Sequence, residues 1–441
     1  MTQSLKLNAK DKGLLFLVLA LFIFLVLSAS FFFPDIYLII AFNAIFLFSL
    51  FFYLMLFLHK QDLGKARKPK HFPSVTVVIP VFNSKNTIVQ CIDSIKKINY
   101  PKKVSIVAVD DASTDGSREL LEKINGIELI KLPKNSGKAA ALNSALQKVK
   151  TDFVVCIDSD SYPEENVLMK SMGYFEDEKV AAVTCLVLPD KRDTFVRKIQ
   201  FLEYAISFGL NNTLLSSIDS SYVVPGPFTI FRKSVFEKVG YYEAGNLAED
   251  MEFGLRLKDH SLKIINCYDA VVYTDVPHDW FGLFIQRNRW CRGGVFNFIR
   301  YKKLLFNKKN PDFGFFVMPF VFASQVLIVA VLARMLLFFV HDLFVFFSVS
   351  FNYFSLGGPV FVDLSRFALP SSFLFFLISY IFVGIYFWVC FKSINYAPNR
   401  RDFFPLLILI FIYPYFITFT YSQGYFKEMI GVRGSWRRVS T

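Results

Sequence analysis

The sequence has no C-x-x-C pair, no clustering of its five histidines, no G-x-G-x-x-G and no G-x-x-x-x-G-K-[ST]. The first two absences leave no zinc site and no disulfide frame. The last two remove the glycine cradles on which dinucleotide and P-loop sites depend. Charge is scarce too, at 19% of 441 residues, and is nearly missing from both ends of the chain. Of the six cysteines, Cys91, Cys156, Cys185, Cys267 and Cys291 fall in the charged middle and Cys390 lies beyond it, a scatter that suits reduced thiols.

What the chain has in excess is phenylalanine, 54 residues of it, and a mean hydropathy of +0.41, too high for an ordinary soluble protein. Two apolar runs, 13–33 and 36–58, each approach the about 20 residues that cross a bilayer. They predict a transmembrane hairpin over 13–58, turned at Pro34 and Asp35; their length and pairing argue against a cleaved secretory signal. Lys6, Lys10 and Lys12 in the tail 1–12, and Lys60, Lys65, Arg67, Lys68 and Lys70 in the basic linker 59–74, place both flanks in the cytoplasm. These charges hug a span and lack interleaved stacking aromatics, so they suit anionic lipid and not nucleic acid. After a linker at 301–312, apolar runs resume at about 313–340, 369–391 and 403–421, with a weaker run at 343–362 broken by Asn352 and a Gly-Gly-Pro. The expectation is a carboxyl-terminal membrane region over 313–421 and a basic cytoplasmic tail at 422–441. Six spans keep both ends inside, and five with an external tail stays open. Arg334, within the third run, would have to face protein, water or an interface.

Between these regions, residues 75–300 change character. "VTVVIPVF", "VSIVAVDD", "IELIKL", "DFVVCID" and "VAAVTCLVL" alternate with helical stretches such as "NTIVQCIDSIKKI" and "GKAAALNSALQKV". Short apolar runs without alternation suit strands buried on both faces, and the spacing suits βαβ crossovers, so an α/β domain with a mostly parallel sheet is expected. Ligands of such sheets bind beyond the carboxyl ends of the strands. Asn83, then Asp110 and Asp111, then Asp158 and Asp160 follow successive strands there. Two carboxylates two residues apart share a face and can grip one hard cation, Mg²⁺ or Mn²⁺, which cancels their repulsion and would neutralise a diphosphate. Alone, the same D-x-D also fits solvated turn aspartates.

"VVIPVFN", "VDDASTDGS", "NSGKAAALN", "CIDSDS", "GPFTIFRKSVFEKVGYYEAGNLAEDMEFGLRL" and "QRNRW" stand in one order along the chain. That order resembles the family 2 glycosyltransferases, in particular the membrane-embedded hyaluronan, cellulose and poly-N-acetylglucosamine synthases. The resemblance implies a GT-A-type α/β domain inserted between transmembrane helices of a polytopic membrane protein. It implies that Asp110 and Asp111 hold the base and ribose of a nucleotide, although "DDASTDGS" is also rich in helix caps, with Ser113 or Asp115 suited to capping. Lys138 would sit near the donor, where Gly137 permits close approach and a helix start favours an anion. Glu249 and Asp250 match a Thr-Glu-Asp motif whose last residue is the general base; here Ala248 replaces the threonine. Gln286, Arg289 and Trp290 share one helical face, with arginine for diphosphate oxygens and indole for a sugar. Gly226 matches an acceptor-side loop, where Trp290 also belongs. "TFVRKIQFLEYAISFGLNNTLL", 194–215, suits a helix on the bilayer or a core helix of the insert, and Trp436 and Arg437 resemble a segment that closes over the donor.

The implied activity is an inverting transfer from a UDP-sugar, UDP-N-acetylglucosamine first, to a growing β-linked polysaccharide, coupled to translocation across a cytoplasmic or inner membrane. Single transfer to a polyprenyl phosphate or glycolipid is the alternative within enzymes; an inactive scaffold or transporter is the alternative outside them. Expected partners are the donor, the polysaccharide or lipid acceptor and membrane lipids, with room for a small accessory membrane subunit.

Overall fold

The computed structural model describes residues 64–322, scattered residues between 337 and 355, 373–393 and 396–432. The hairpin 13–58, the basic residues up to Lys60, Arg334, the Gly-Gly-Pro break, Trp436 and Arg437 lie outside the described residues. The chain divides into two units, one of Met1–Asn8, His59–Phe320 and Val389–Thr441, the other of Ala9–Leu58 and Val321–Trp388.

The first unit is built on an eight-stranded sheet in the order β3-β2-β1-β4-β7-β6-β8-β5. Its strands are β1 (Val75–Val81), β2 (Ser105–Asp110), β3 (Glu128–Lys131), β4 (Phe153–Cys156), β5 (Ser161–Pro163), β6 (Val180–Pro189), β7 (Thr229–Arg232) and β8 (Lys263–Thr274). All five expected strands form. β1 shows why the sequence reads as it does: Val75, Val77, Ile79 and Val81 enter one core layer and Val78 the other, and the one buried polar side chain of the strand, Thr76, is hydrogen-bonded to Thr151. α1 (Ile88–Lys96) covers the first layer with Ile88, Cys91, Ile92 and Ile95, spaced i, i+3, i+4, i+7.

The sheet is more mixed than its first strands suggest. β1, β2, β3 and β4 run parallel, as do β6 and β8, but β7 pairs antiparallel with β4 and β6, and β5 antiparallel with β8. β7, "TIFR", is only four residues long and enters the sheet directly from the loop at Gly226. Three further helices frame the sheet's ligand edge: α2 (Ser117–Glu122), α3 (Lys138–Leu146) and α4 (Val167–Ser171).

Residues 195–217 form α5 (Phe195–Tyr204), a π-helical turn at Ala205–Asn211 and α6 (Asn212–Ser217). Most of α5 is buried in protein, as the core-helix reading of 194–215 expects. The linker at 65–70 is not a free basic tether either. Arg67 stacks over Tyr174 at 4.7 Å, and its backbone bonds Lys170 and Gly173.

α7 (Lys233–Val239) and α8 (Glu249–Asp259) follow β7, and α9 (Trp280–Arg300) carries the "QRNRW" run, capped where Asp279 accepts from Gly282 N–H at 2.7 Å. α10 (Phe373–Ser393) lies mostly in the second unit. α11 (Arg400–Phe411) opens on a capping box of Asn399 and Asp402, and α12 (Tyr413–Ile430) continues past residue 421, where the apolar run ends. Among the described residues no single helix is long and apolar enough to cross a membrane. α11 and α12, bent by 46° at their junction, meet that length and composition together.

Candidate active site

Four segments converge on one pocket: the start of α3, the end of β4, the loop before β7 and the start of α8. Lys138, Asp158, Gly226, Tyr242, Glu249 and Asp250 line it, with Leu142, Ile157, Val224 and Pro225 supplying apolar walls. The Lys138 Nζ lies 2.5 Å from Asp158 Oδ1 and 3.3 Å from Glu249 Oε1. Gly137, at φ 88°, makes the turn that delivers Lys138 there. Gly226 matters for space: a Cβ on it would come within 2.4 Å of Lys138 Nζ and 2.8 Å of Asp158 Oδ2. As it stands the cavity is about 10 Å³, room for about one water, so a nucleotide sugar requires the lysine or a wall to move.

Charge dominates this pocket. Three carboxylates face one ammonium, which leaves a formal excess of two negative charges. Burial opposes the Lys138 charge, yet Asp158, Glu249 and Asp250 outweigh it and hold the ammonium well above the usual lysine range. Burial first, and then the adjacent Glu249 carboxylate, push Asp250 up to about 6, while Lys138 and Arg289 pull it down by less. A carboxylate tuned close to neutral pH can accept a proton from a hydroxyl. Glu249 is enclosed and held by Lys138.

The start of α8 is fixed from α9. Asn297 Nδ2 donates to the Ala248 carbonyl at 2.9 Å and its Oδ1 accepts from Asn246 Nδ2 at 2.8 Å; Asn246 Oδ1 in turn accepts from Ala248 N–H at 3.1 Å. Arg289 Nη1 donates to the Leu247 carbonyl at 2.9 Å. Ala248 also fits against Gly293, where any Cβ would strike it at 2.5 Å. The residues that a Thr-Glu-Asp pattern singles out are therefore held by a buried amide pair, Asn246 just before them and Asn297 on a different helix.

The other expected site residues are placed as follows. Asp110 and Asp111 are fully enclosed. Asp110 accepts from Arg118 Nε at 2.6 Å, and Asp111 accepts from Ser136 and Gly137 N–H at 2.7 and 2.8 Å, a clamp on the loop that leads into Lys138. Burial raises Asp111 above the usual range despite those two donors. Asn83, left-handed at φ 50°, accepts from Thr114 N–H at 2.8 Å and ties the ends of β1 and β2 together. Asp115 accepts from Ser117 N–H at 2.9 Å at the start of α2. Asp160 does not line the pocket, and its carbonyl accepts from Asp275 N–H at 3.0 Å. Gln286 and Trp290 meet through Arg287 instead of at the pocket. Arg287 Nη1 donates to Gln286 Oε1 at 2.7 Å, and its guanidinium stacks 4.2 Å from the Trp290 ring.

Arg287 is the residue that spacing did not single out. It is 1% exposed, pairs with Glu203 of α5 at 2.6 Å and reaches Tyr413 Oη of α12 at 3.3 Å. A guanidinium only donates, so its contact turns the Gln286 carbonyl toward itself and leaves the amide N–H pair facing elsewhere. α12 also holds α9 through Arg292 with Glu428 at 2.6 Å, Asn288 with Gln423 at 3.0 Å, and Gly424, whose Cβ would meet Cys291 Sγ at 2.8 Å.

Among the described residues no three His, Cys, Asp or Glu side chains are grouped to hold a metal. The donor set nevertheless suits a hard cation: Asp158 offers carboxylate oxygen in an electronegative pocket and already draws the Lys138 ammonium.

Residues 76–240 match the family model described as Glycosyl transferase family 2. The poly-beta-1,6-N-acetyl-D-glucosamine synthase of Staphylococcus aureus (strain MSSA476) is 30% identical over 227 residues, 50% of this chain and 54% of that protein. The Staphylococcus epidermidis synthase of the same name is 28% identical over 228 residues. The chain thus spans about half the length of the curated relatives it matches. A mannosyltransferase from Pyrobaculum calidifontis, solved with GDP-Man and Mn²⁺, shares the fold at a TM-score of 0.55 and 20% identity, over 94% of this chain and 98% of that one.

Proposed function

We propose that this chain is a family 2 glycosyltransferase, as its match to that family model and to the staphylococcal synthases supports, and that it is an inverting enzyme in which Asp250 deprotonates the acceptor hydroxyl. The observation that carries the reading is the meeting of Asp250, Glu249, Asp158 and Lys138 in one pocket, with Asp250 raised to about 6. The acceptor oxygen forms its bond to the anomeric carbon as the bond from that carbon to the diphosphate breaks. The proton passes to Asp250 and the negative charge to the departing nucleoside diphosphate. With Asp250 as the base and Glu249 paired to Lys138, a single displacement turns an α-linked donor into a β-linked product. On diphosphate binding Lys138 exchanges a carboxylate for phosphate oxygens, with Arg289 close to Asp250 as a second cation. Asp158 would hold Mg²⁺ or Mn²⁺, joined by Asp160 only if that residue turns into the pocket it now lies outside, and the ion would supply further neutralisation of the diphosphate. Gly226 gives the acceptor close approach, whereas Gln286 and Trp290, both engaged by Arg287, would take the donor and acceptor sugars only once that packing opens. Asp110 and Asp111 shape the base and ribose end through the Ser136–Gly137 loop.

UDP-N-acetylglucosamine is the donor we assign, supported by the names of the staphylococcal relatives, and a β-linked polymer is the product. The apolar runs on both sides of residues 75–300 support a multi-pass location in a cytoplasmic membrane with the catalytic domain inside and the polymer passed outward. Purified full-length chain given labelled UDP-N-acetylglucosamine should release UDP and build a ladder of products. One extractable glycolipid would replace the polymer assignment with single transfer, and no UDP release from any of a panel of UDP-sugars would overturn the catalytic reading. Chelation with EDTA should abolish release, and added Mn²⁺ or Mg²⁺ should restore it.

A further inference from the structure

The segment that joins α9 to the apolar stretch beginning near residue 313 is a built surface and not a slack connector. Phe306 N–H donates to the Gly314 carbonyl at 2.9 Å, Gly314 N–H to Asn310 at 2.8 Å, and the buried Asn310 side chain donates to the Lys258 carbonyl at 2.8 Å. Leu304 and Phe313 are buried beneath it. A side chain at 314 would strike Asn307 N at 2.7 Å, so the two arms of the loop lie against each other.

On this scaffold the outward residues are the wrong ones for water. Phe306 takes a left-handed backbone, φ 57°, which glycine or asparagine would adopt far more readily. Its ring is 59% exposed and packs edge-on against Phe315, itself 49% exposed, with centroids 5.7 Å apart. Lys302, Lys303, Lys308 and Lys309 are exposed around the pair. Asp312 is the acidic residue exposed among them, and Asp259 answers Lys303 at 2.5 Å. A strained backbone that projects an aromatic pair from a segment carrying four exposed lysines matches a surface with an apolar interior and an anionic face.

We propose that this loop docks on the bilayer, with Phe306 and Phe315 entering the acyl boundary and the lysines reading anionic lipid headgroups. The proposal rests on the membrane location argued above and adds a lipid preference to it. All six native cysteines are buried, so Phe306→Cys gives one selectively reactive thiol for an NBD label in the full chain. The chain is reconstituted into vesicles of phosphatidylcholine alone or of an equal mixture with phosphatidylglycerol, each with and without lipid bearing a nitroxide high on the acyl chain. Emission from position 306 should shift to the blue and be quenched by the nitroxide lipid, more strongly in the anionic vesicles; the added Lys308→Gln and Lys309→Gln changes should remove that extra quenching. The same label at exposed Lys123→Cys should remain unquenched. A chain that floats with the vesicles while position 306 stays unquenched overturns the loop proposal alone, as does a blue shift without lipid quenching, which would mark a protein partner or a second copy. Equal quenching in both vesicle types overturns the headgroup preference, and a chain that does not float with vesicles overturns the membrane location together with the loop.

Discussion

Two acidic pairs stand at the same edge of this sheet, and they have opposite surroundings. Asp110–Asp111, at the end of β2, is enclosed, with its oxygens on Arg118 and on the backbone N–H groups of Ser136 and Gly137. Glu249–Asp250, at the start of α8, faces a pocket in which one ammonium serves three carboxylates. Neighbouring carboxylates are compatible with folding in either setting, but only the second leaves charge uncompensated at a surface that a ligand can reach. Satisfied hydrogen bonds make a carboxylate a building element; a deficit of partners makes it reactive.

The comparison breaks most visibly at Asp250. Asp250→Asn keeps the shape and removes the proton acceptor, so UDP release should fall by about 10²–10⁴-fold while the thermal midpoint holds; turnover within a factor of a few of wild type would move the base elsewhere. A smaller effect sharpens the contrast through pH. The deprotonated form of Asp250 is the competent one, so kcat/KM should rise about tenfold per pH unit below about 6 and level off above it. Lys138 is one of the groups that pull this carboxylate down, hence Lys138→Gln should carry the acid limb to higher pH as well as raise the donor KM. An unshifted limb would deny Lys138 its electrostatic role. The smallest effect on turnover belongs to the enclosed pair. In Asp110→Asn the Arg118 charge is left without its partner, but Arg118 is 33% exposed and regains water. The cost should therefore be about 1–3 kcal/mol in denaturant unfolding, below that of a fully buried pair, with a higher donor KM and an unchanged kcat. A collapse of kcat in that variant would erase the distinction between the two pairs.

How much of this was legible without coordinates follows from the same contrast. β1, β2, β4 and β6 announce themselves because both faces are buried and each run is largely apolar, whereas β3, at the sheet edge with Glu128 and Lys131 exposed, shows only Leu129 and Ile130. β7 has four residues and β5 three, too few for any period, and β8 is interrupted by Asn266 and Asp269 near a register shift. Ordered motifs led to Lys138, Asp158, Gly226, Glu249 and Asp250, and the fold brings these five into one pocket. Spacing failed at Arg287. An arginine is ordinarily read as solvated, and its partners Glu203 and Tyr413 stand 84 and 126 residues away in sequence. The Asn246–Asn297 pair was invisible for a similar reason, since asparagine carries no signature of burial until its counterpart is known.

Cys291 seats against Gly424 of α12, while Gly293 and Asn297, further along the same helix, grip residues 246–248. One stretch of α9 therefore touches both α12 and the segment that leads into the proposed base, so a larger side chain at residue 424 should displace Asp250 as well as unseat α12.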